Sequence, residues 1–259
     1  MNNTQAENTA ILTGTKKNEP IIEISHLKKR FGEQAVLNDV SFQLHTGENL
    51  VILGKSGSGK SVLIKCIVQL LKQDEGTIHV LGQEISKLNT KELGELRKKI
   101  GFLFQSGALY DSMTVKENLE FALKRMEKKL TQTEMDEKIN NALENVGLAH
   151  ALDKMPSQLS GGMRKRISLA RTIVVNPLIM LYDEPTTGLD PVTSDEISLL
   201  INAVQKKLKT SSIIITHDIN CARTTGDRII MLQDGAVYAD GKLKDFETSK
   251  DPIIKAFFK

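Results

Sequence analysis

The chain has 259 residues, 40% of them hydrophobic and 26% charged, with a formal net charge of +3; this is ordinary globular usage, with room for one domain carrying an inserted subdomain. No apolar run approaches the roughly 18 residues that span a bilayer, and residues 1–20 form a polar tail, expected to be flexible, without a signal peptide's apolar segment, so a cytoplasmic chain that reaches a membrane only through a partner is expected. Cys66 and Cys221 have neither CxxC spacing nor histidine partners, excluding a disulfide framework or zinc site, and the basic clusters at 28–30, 97–99 and 124–129 lie among carboxylates, reading as solvated faces rather than a nucleic-acid surface.

Short alternating runs come first. "IIEI" at 21–24 and "VSFQL" at 40–44, with Val40, Phe42 and Leu44 on one face, read as antiparallel strands. Phe31 stands between them in a polar loop and is open to two readings, a core anchor or a stacking platform for a base. Next, "ENLVILGKSGSGKSVLIKCIVQLL" gives an apolar strand, a glycine-rich turn and a helix apolar on nearly every side, which belongs in the middle of a domain. The turn Gly54-Lys55-Ser56-Gly57-Ser58-Gly59-Lys60-Ser61 satisfies G-x-x-x-x-G-K-[ST]. Its glycines let successive backbone N–H groups, on into Val62, point at phosphate oxygens; Lys60 adds a charge and Ser61 offers a hydroxyl to Mg²⁺. Lys55 occupies a variable position of the motif, and its side chain is expected in solvent.

"GFLFQSGAL" places Gln105 just after a further strand. A neutral side chain there can touch Mg²⁺ and water when nucleotide is bound and release them otherwise, or it can be a plain surface glutamine. From about Ser106 to Leu159 strand signals vanish. "TVKE" at 114–117 and "TQTE" at 131–134 fit the S/T-x-x-E capping box, and the second opens a helix with Met135, Ile139, Ala142, Leu143 and Val146 at helical spacing before Gly147. "LSGGMRKR" at 159–166 begins another helix, with Ser160 as a natural N-cap and Gly161 and Gly162 leaving the first N–H groups unobstructed. Arg164, Lys165 and Arg166 behind it read as solvent-facing. Positive charge opposes the helix dipole there, which points to a nearby anion or acidic partner surface.

Strands return with "LIMLY", "SIIIT", "RIIML" and, across an Asp234-Gly235 turn, "AVYA". Apolar β-branched strands alternating with helices predict a largely parallel sheet covered on both faces. Asp183 and Glu184 follow the first of these strands, where open α/β sheets bind ligands. Either they are merely a helix-terminal pair before Pro185, or Asp183 holds Mg²⁺ and Glu184, pointing the other way, orients the attacking water. His217 ends "SIIITH" at the same edge, as a half-buried polar residue or as a contact to the γ-phosphate that fixes the carboxylate.

Taken in order, Phe31, the phosphate loop, Gln105, Leu159-Ser160-Gly161-Gly162, Asp183-Glu184, Gly188-Leu189-Asp190 and His217 resemble the nucleotide-binding subunit of ATP-binding cassette (ABC) transporters, from about Ile21 to Phe258. The resemblance implies an α/β fold: a P-loop NTPase (RecA-like) core with an antiparallel β subdomain and an α-helical subdomain inserted at about 106–170, together filling 21–259. It implies ATP and Mg²⁺ as cofactors. Lys60, Gln105, Glu184 and His217 would serve hydrolysis, and Ser61, Gln105 and Asp183 the metal. Phe31, residues 54–62, Ser160, Gly161, Gly162 and Asp190 would bind nucleotide. It further implies a head-to-tail homodimer in which each "LSGG" helix covers the ATP held by the other copy's phosphate loop.

"FLFQSGALYDSMTVKENLEF" and "LSGGMRKRISLAR" look like the ATPase of Mce-type lipid transporters, the group that includes the maintenance-of-lipid-asymmetry system. By that resemblance the partners would be a permease docking near Gln105 to Asn118, an Mce-domain substrate-binding protein, and a small cytosolic regulatory subunit. Competing expectations are another ABC importer or exporter, such as a polar amino acid system; a soluble iron–sulfur-assembly or DNA-repair ATPase; and a regulatory module without turnover, against which both Glu184 and His217 argue.

Overall fold

The structure is a computed structural model that describes residues 20–126 and 130–258. The tail expected at 1–20 lies outside the described residues except for Pro20, which opens the first strand, and so does the end of the third basic cluster, 127–129.

Two sheets form the frame. The first is antiparallel and four-stranded, in the order β2-β1-β4-β5, from β1 (Pro20–Phe31), β2 (Gln34–His45), β4 (Glu75–Val80) and β5 (Gln83–Glu84). β1 runs well past the expected 21–24 because it bends through register shifts against both neighbours. Two of its basic residues pair with carboxylates across the sheet: Lys28 with Glu75 at 2.7 Å, in a surface pair that keeps the solvated reading, and Lys29 with Asp74 at 2.8 Å, where the lysine is 14% exposed and departs from it.

The second sheet has the order β10-β9-β3-β8-β7-β6: β3 (Asn49–Leu53), β6 (Ile100–Leu103), β7 (Ile179–Asp183), β8 (Ser211–Thr216), β9 (Arg228–Gln233) and β10 (Ala236–Gly241). All neighbours are parallel except β9 and β10, which the Asp234-Gly235 turn joins antiparallel, both residues at positive φ. β3, β7 and β8 are buried at every residue, as strands covered on both faces must be. Alternate residues feed two cores: Val51, Leu53, Met180, Tyr182 and Ile214 face one, Leu50, Ile52, Leu181, Ile213 and Ile215 the other.

Helix α1 (Lys60–Ile67) follows β3 and buries Leu63, Ile64, Cys66 and Ile67. It stops short of the apolar run's end, since Gln69 takes a left-handed conformation and leaves Leu70 exposed. Arg97, in α2 (Thr90–Arg97), closes this end by donating to the carbonyls of Val68 and Gln69, so it too departs from the solvated reading.

Between β6 and β7 the described residues hold only helices and turns: α3 (Val115–Met126), α4 (Gln132–Asn145) and α5 (Gly161–Ile173). Thr114 and Glu117 bond reciprocally at the start of α3, as Thr131 and Glu134 do at α4. The apolar stripe of α4 packs Met135, Ile139, Ala142 and Leu143 into the first core. The rest of the chain adds α6 (Pro191–Leu208), α7 (Ile219–Thr225), α8 (Leu243–Glu247) and α9 (Pro252–Phe257). No described helix is long and apolar enough to cross a membrane.

Candidate functional site

Sheet order decides what meets. β3 lies between β9 and β8, and β8 beside β7, with β6 at the edge. The segments leaving the C-terminal ends of β3, β8, β7 and β6 carry residues 54–61, His217, Glu184 and Gln105, so one sheet edge gathers four of the motifs.

The loop after β3 wraps on itself. Gly59 has φ +97, and a Cβ there would lie 2.7 Å from Val36 O and 2.9 Å from Leu37 Cδ2, so only glycine fits. Lys60 is 6% exposed and donates to Gly54 O at 2.7 Å and Lys55 O at 3.0 Å, with Glu184 Oε1 at 3.7 Å. Burial lowers its pKa, and the charges of Glu184 and Asp183 oppose that shift. The Lys55 and Ser56 side chains are exposed, as are Gly57's surroundings, while Val62 is half-buried. Ser58 Oγ is buried and has no hydrogen-bond partner among the described residues.

Ser61 Oγ donates to Asp183 Oδ1 at 3.0 Å. Asp183 is buried, and burial raises its carboxyl pKa against the opposing Ser61 bond. A hydroxyl and a desolvated carboxylate side by side are hard oxygen donors of the kind Mg²⁺ takes, and a cation there would favour the carboxylate's ionised form, so these residues fit that ion.

Glu184 sits one residue beyond the strand at φ +51, and this turn sends its side chain along a different course from that of Asp183. Its Oε2 meets His217 Nδ1 at 2.8 Å and accepts from Thr187 Oγ1 at 3.1 Å. A carboxylate bonded to an imidazole and aimed beside the loop lysine is an arrangement able to orient water and take its proton. The half-buried reading of His217 is corrected: its side chain is 57% exposed, its Nδ1 held by the acid. Thr187 was not anticipated, and nothing in "EPTTGLD" marks it apart from Thr186, which donates instead to Asp218 Oδ2 at 3.0 Å.

The remaining candidate residues make no side-chain hydrogen bond to Lys60, Ser61, Asp183 or Glu184 among the described residues. Phe31, 48% exposed at the end of β1 with Lys29 Nζ 5.5 Å from its ring, is no core anchor. Gln105 is exposed, and its carbonyl accepts from Lys165 at 2.6 Å. Ser160 caps α5, accepting from Met163 N at 3.2 Å, and it and Gly161 are exposed. Among the described residues no hydrogen bond or ion pair joins Ser160, Gly161 or Gly162 to the loop 54–61. Gly162 serves packing: a Cβ would stand 2.6 Å from Thr193 Cγ2. Asp190 caps α6, its two oxygens taken by Thr193 N and Oγ1, which hold its pKa down.

The solvated reading of the basic run holds for Arg164, which is exposed with its Nε donating to Leu159 O at 3.3 Å, and fails for Lys165, which is buried; Arg166 is half-buried and pairs with Glu196 at 2.6 Å. Asn118, at the far end of the expected docking stretch, is also fully buried. Its amide accepts from Tyr110 N and donates to the carbonyls of Tyr110, Met113 and Thr114, fixing that loop from within.

Residues 37–187 match the family described as ABC transporter. A probable ribonucleotide transport ATP-binding protein of Mycobacterium leprae is 39% identical over 236 residues, which are 91% of this chain and 68% of that protein. Trigalactosyldiacylglycerol 3, a chloroplastic protein of Arabidopsis thaliana, is 37% identical over 92% of this chain and 73% of its own length. A methionine import ATP-binding protein of Brucella abortus is 36% identical over 92% of this chain and 64% of its own. Among solved structures, a dimeric ATP-binding cassette in a post-hydrolysis state bound to ADP and Pi superposes with a TM-score of 0.78 at 33% identity, covering 86% of this chain and 98% of that one.

Proposed function

The chain belongs to the ABC transporter family, and from that premise we propose that it is the ATP-hydrolysing subunit of a membrane transporter for phospholipids, working as a head-to-tail dimer at the cytoplasmic face of the membrane. The observation that carries the hydrolytic reading is the meeting, at one sheet edge, of Ser61 with Asp183 and of Glu184 with His217, beside the lysine of a phosphate-binding loop.

On this reading the N–H groups of 54–62 and the Lys60 ammonium bind the β- and γ-phosphates, and Phe31 stacks on the base. Ser61 and Asp183, with Gln105, would hold Mg²⁺, which would supply neutralising charge to the phosphates. Glu184 takes the proton of the attacking water as the new bond to the γ-phosphorus forms and the bond to the bridging oxygen of ADP breaks. His217 keeps Glu184 aimed through Nδ1. Ser160 and Gly161, exposed and without a hydrogen bond to this chain's own loop among the described residues, face the nucleotide of the second copy. Glu184→Gln is expected to bind ATP with unchanged affinity, lose turnover by roughly a hundredfold or more and accumulate as an ATP-bound dimer on gel filtration; rapid steady hydrolysis by that variant would remove Glu184 from its role.

The lipid reading rests on the likeness of "FLFQSGALYDSMTVKENLEF" and "LSGGMRKR" to Mce-type ATPases and on the relative named for a galactolipid. The permease would seat on the apolar groove of about 290 Å³ lined by Leu70, Phe102, Phe104 and Ala122, next to Gln105. An Mce-domain protein and a small regulatory subunit would complete the assembly. The relatives named for ribonucleotide and methionine transport favour a second reading, a small polar solute. Affinity purification of the tagged chain from detergent-solubilised membranes separates the two. A permease with an Mce-domain protein and co-extracted phospholipid is expected; a permease with a soluble binding protein for a nucleotide or amino acid overturns the lipid reading.

A further inference from the structure

A lysine ammonium taken out of water is costly unless its donors are met. Lys165 on α5 is 6% exposed and has no ion-pair partner among the described residues. Its Nζ donates to Gln105 O at 2.6 Å and reaches Glu184 O at 3.5 Å. These carbonyls belong to the segments after β6 and β7, two parts of the site described above, and the ammonium comes from the helix that Ser160 caps.

Two further contacts bind α5 to the first of those segments. Arg171 donates to Ala108 O at 2.6 Å and to Gly107 O at 3.2 Å. A Cβ on Gly107 would lie 2.5 Å from Ser168 Oγ, so loop and helix pack without spare room. Both contacts reach only the loop, whereas Lys165 also reaches the glutamate. Glu184 needs holding, because a non-glycine residue at φ +51 persists only where its neighbours over-determine it. Its N–H is fixed by Ile215 O at 2.9 Å, and its carbonyl faces Lys165.

We propose that Lys165 is a positioning residue for hydrolysis: by pinning the carbonyls of Gln105 and Glu184 to α5, it makes the aim of the Glu184 carboxylate depend on where that helix stands. The inference rests on Glu184 being the hydrolytic carboxylate.

The test compares Lys165→Met, which keeps the stem and removes the donor, with Lys165→Arg, which keeps a charged donor, in the complete chain. Lys165→Met should lower kcat for ATP roughly 10- to 100-fold, the scale of a misaimed catalytic group. KM and the affinity for a fluorescent ATP analogue should stay within about threefold, and Lys165→Arg should recover part of the lost kcat. Wild-type kcat in Lys165→Met, parallel loss of nucleotide binding, or an arginine variant no better than the methionine one each overturns the proposal. If Lys165→Met fails to fold by circular dichroism, Lys165→Gln replaces it, and full kcat in that variant is equally fatal. Glu184→Gln measured alongside separates the two levels. If it hydrolyses ATP at the wild-type rate, the assignment of Glu184 falls; if it is inactive while Lys165→Met is fully active, only the lysine's role falls.

Discussion

Asp183 shows what taking a single carboxyl out of water costs the fold. Burial raises its carboxyl pKa, with Ser61 opposing, so ionising this group costs the folded chain more than the unfolded one. Because the folded value lies above the unfolded one, the contribution to stability is fully present below the unfolded pKa and is lost as pH rises through the folded value. At neutral pH the carboxylate is therefore a cost, and Asp183→Asn, which keeps an oxygen for Ser61, removes it. Melting of the nucleotide-free variant at pH 7 should rise by roughly 2 °C or more, shrinking toward pH 4, while Mg²⁺-dependent ATP hydrolysis is lost. An unchanged or lowered melting temperature at pH 7 would contradict this account. The cysteines illustrate the same sign without a function. Burial pushes the thiols of Cys66 and Cys221 up to about 11. Ellman's reagent at pH 8 should label neither thiol in the native chain and both in denaturant, and stability should fall between about pH 9 and 11 as the unfolded thiols ionise first. Rapid native labelling at pH 8 would place a thiol nearer the surface.

At the scale of elements, the glycines of "LSGG" divide into two kinds. Gly161 is exposed, and a Cβ there would meet only Leu189 Cδ2 at 3.7 Å, an ordinary contact. Gly162 lets α5 approach α6 so closely that a Cβ would overlap Thr193 Cγ2 at 2.6 Å. Gly162→Ala should therefore cost about 1–3 kcal/mol by overpacking, and Gly161→Ala should leave folding nearly untouched. Thr193→Ser removes the offending methyl and keeps the hydroxyl that Asp190 accepts, so Gly162→Ala with Thr193→Ser should recover most of the loss in urea titrations. Full additivity of the two single changes would show that the helices are not in contact here. None of this closeness is legible in the chain, since residues 162 and 193 share no motif and no period. The capping boxes at Thr114 and Thr131, the phosphate loop and the apolar strands were legible because each is a local pattern with a local cause. β4 and α2 escaped for the opposite reason: "EGTIHV" is short, carries a glycine at its second position and buries only Ile78 and Val80, and α2 buries only Leu96, too little to set a period. The basic run misled because lysines on helices usually meet water, and only the fold shows Lys165 reaching inward.

For the whole molecule the question is whether one chain holds a complete site. The loop side is assembled within the chain, but among the described residues no hydrogen bond or ion pair ties it to Ser160 and Gly161 at the exposed N-terminus of α5. If two copies pack head to tail, each site takes its loop from one and its α5 from the other, and two inactive variants can repair each other. Lys60→Met disables a loop. Gly161→Asp adds a negative charge where helix N–H groups would meet phosphate, at a position with space for it. In a mixed dimer one site unites both lesions, while the other joins the intact loop of the Gly161→Asp chain to the intact α5 of the Lys60→Met chain. With random pairing, about half of the dimers are mixed and half of the sites in them are whole, so hydrolysis should recover to about one quarter of the wild-type rate when two inactive preparations are combined. A site closed within one chain forbids any such recovery, because every loop would then be joined to an α5 carrying the same chain's lesion or its own defect. Persistent inactivity in mixtures whose hybrid dimers are verified by native mass spectrometry would thus refute the shared site.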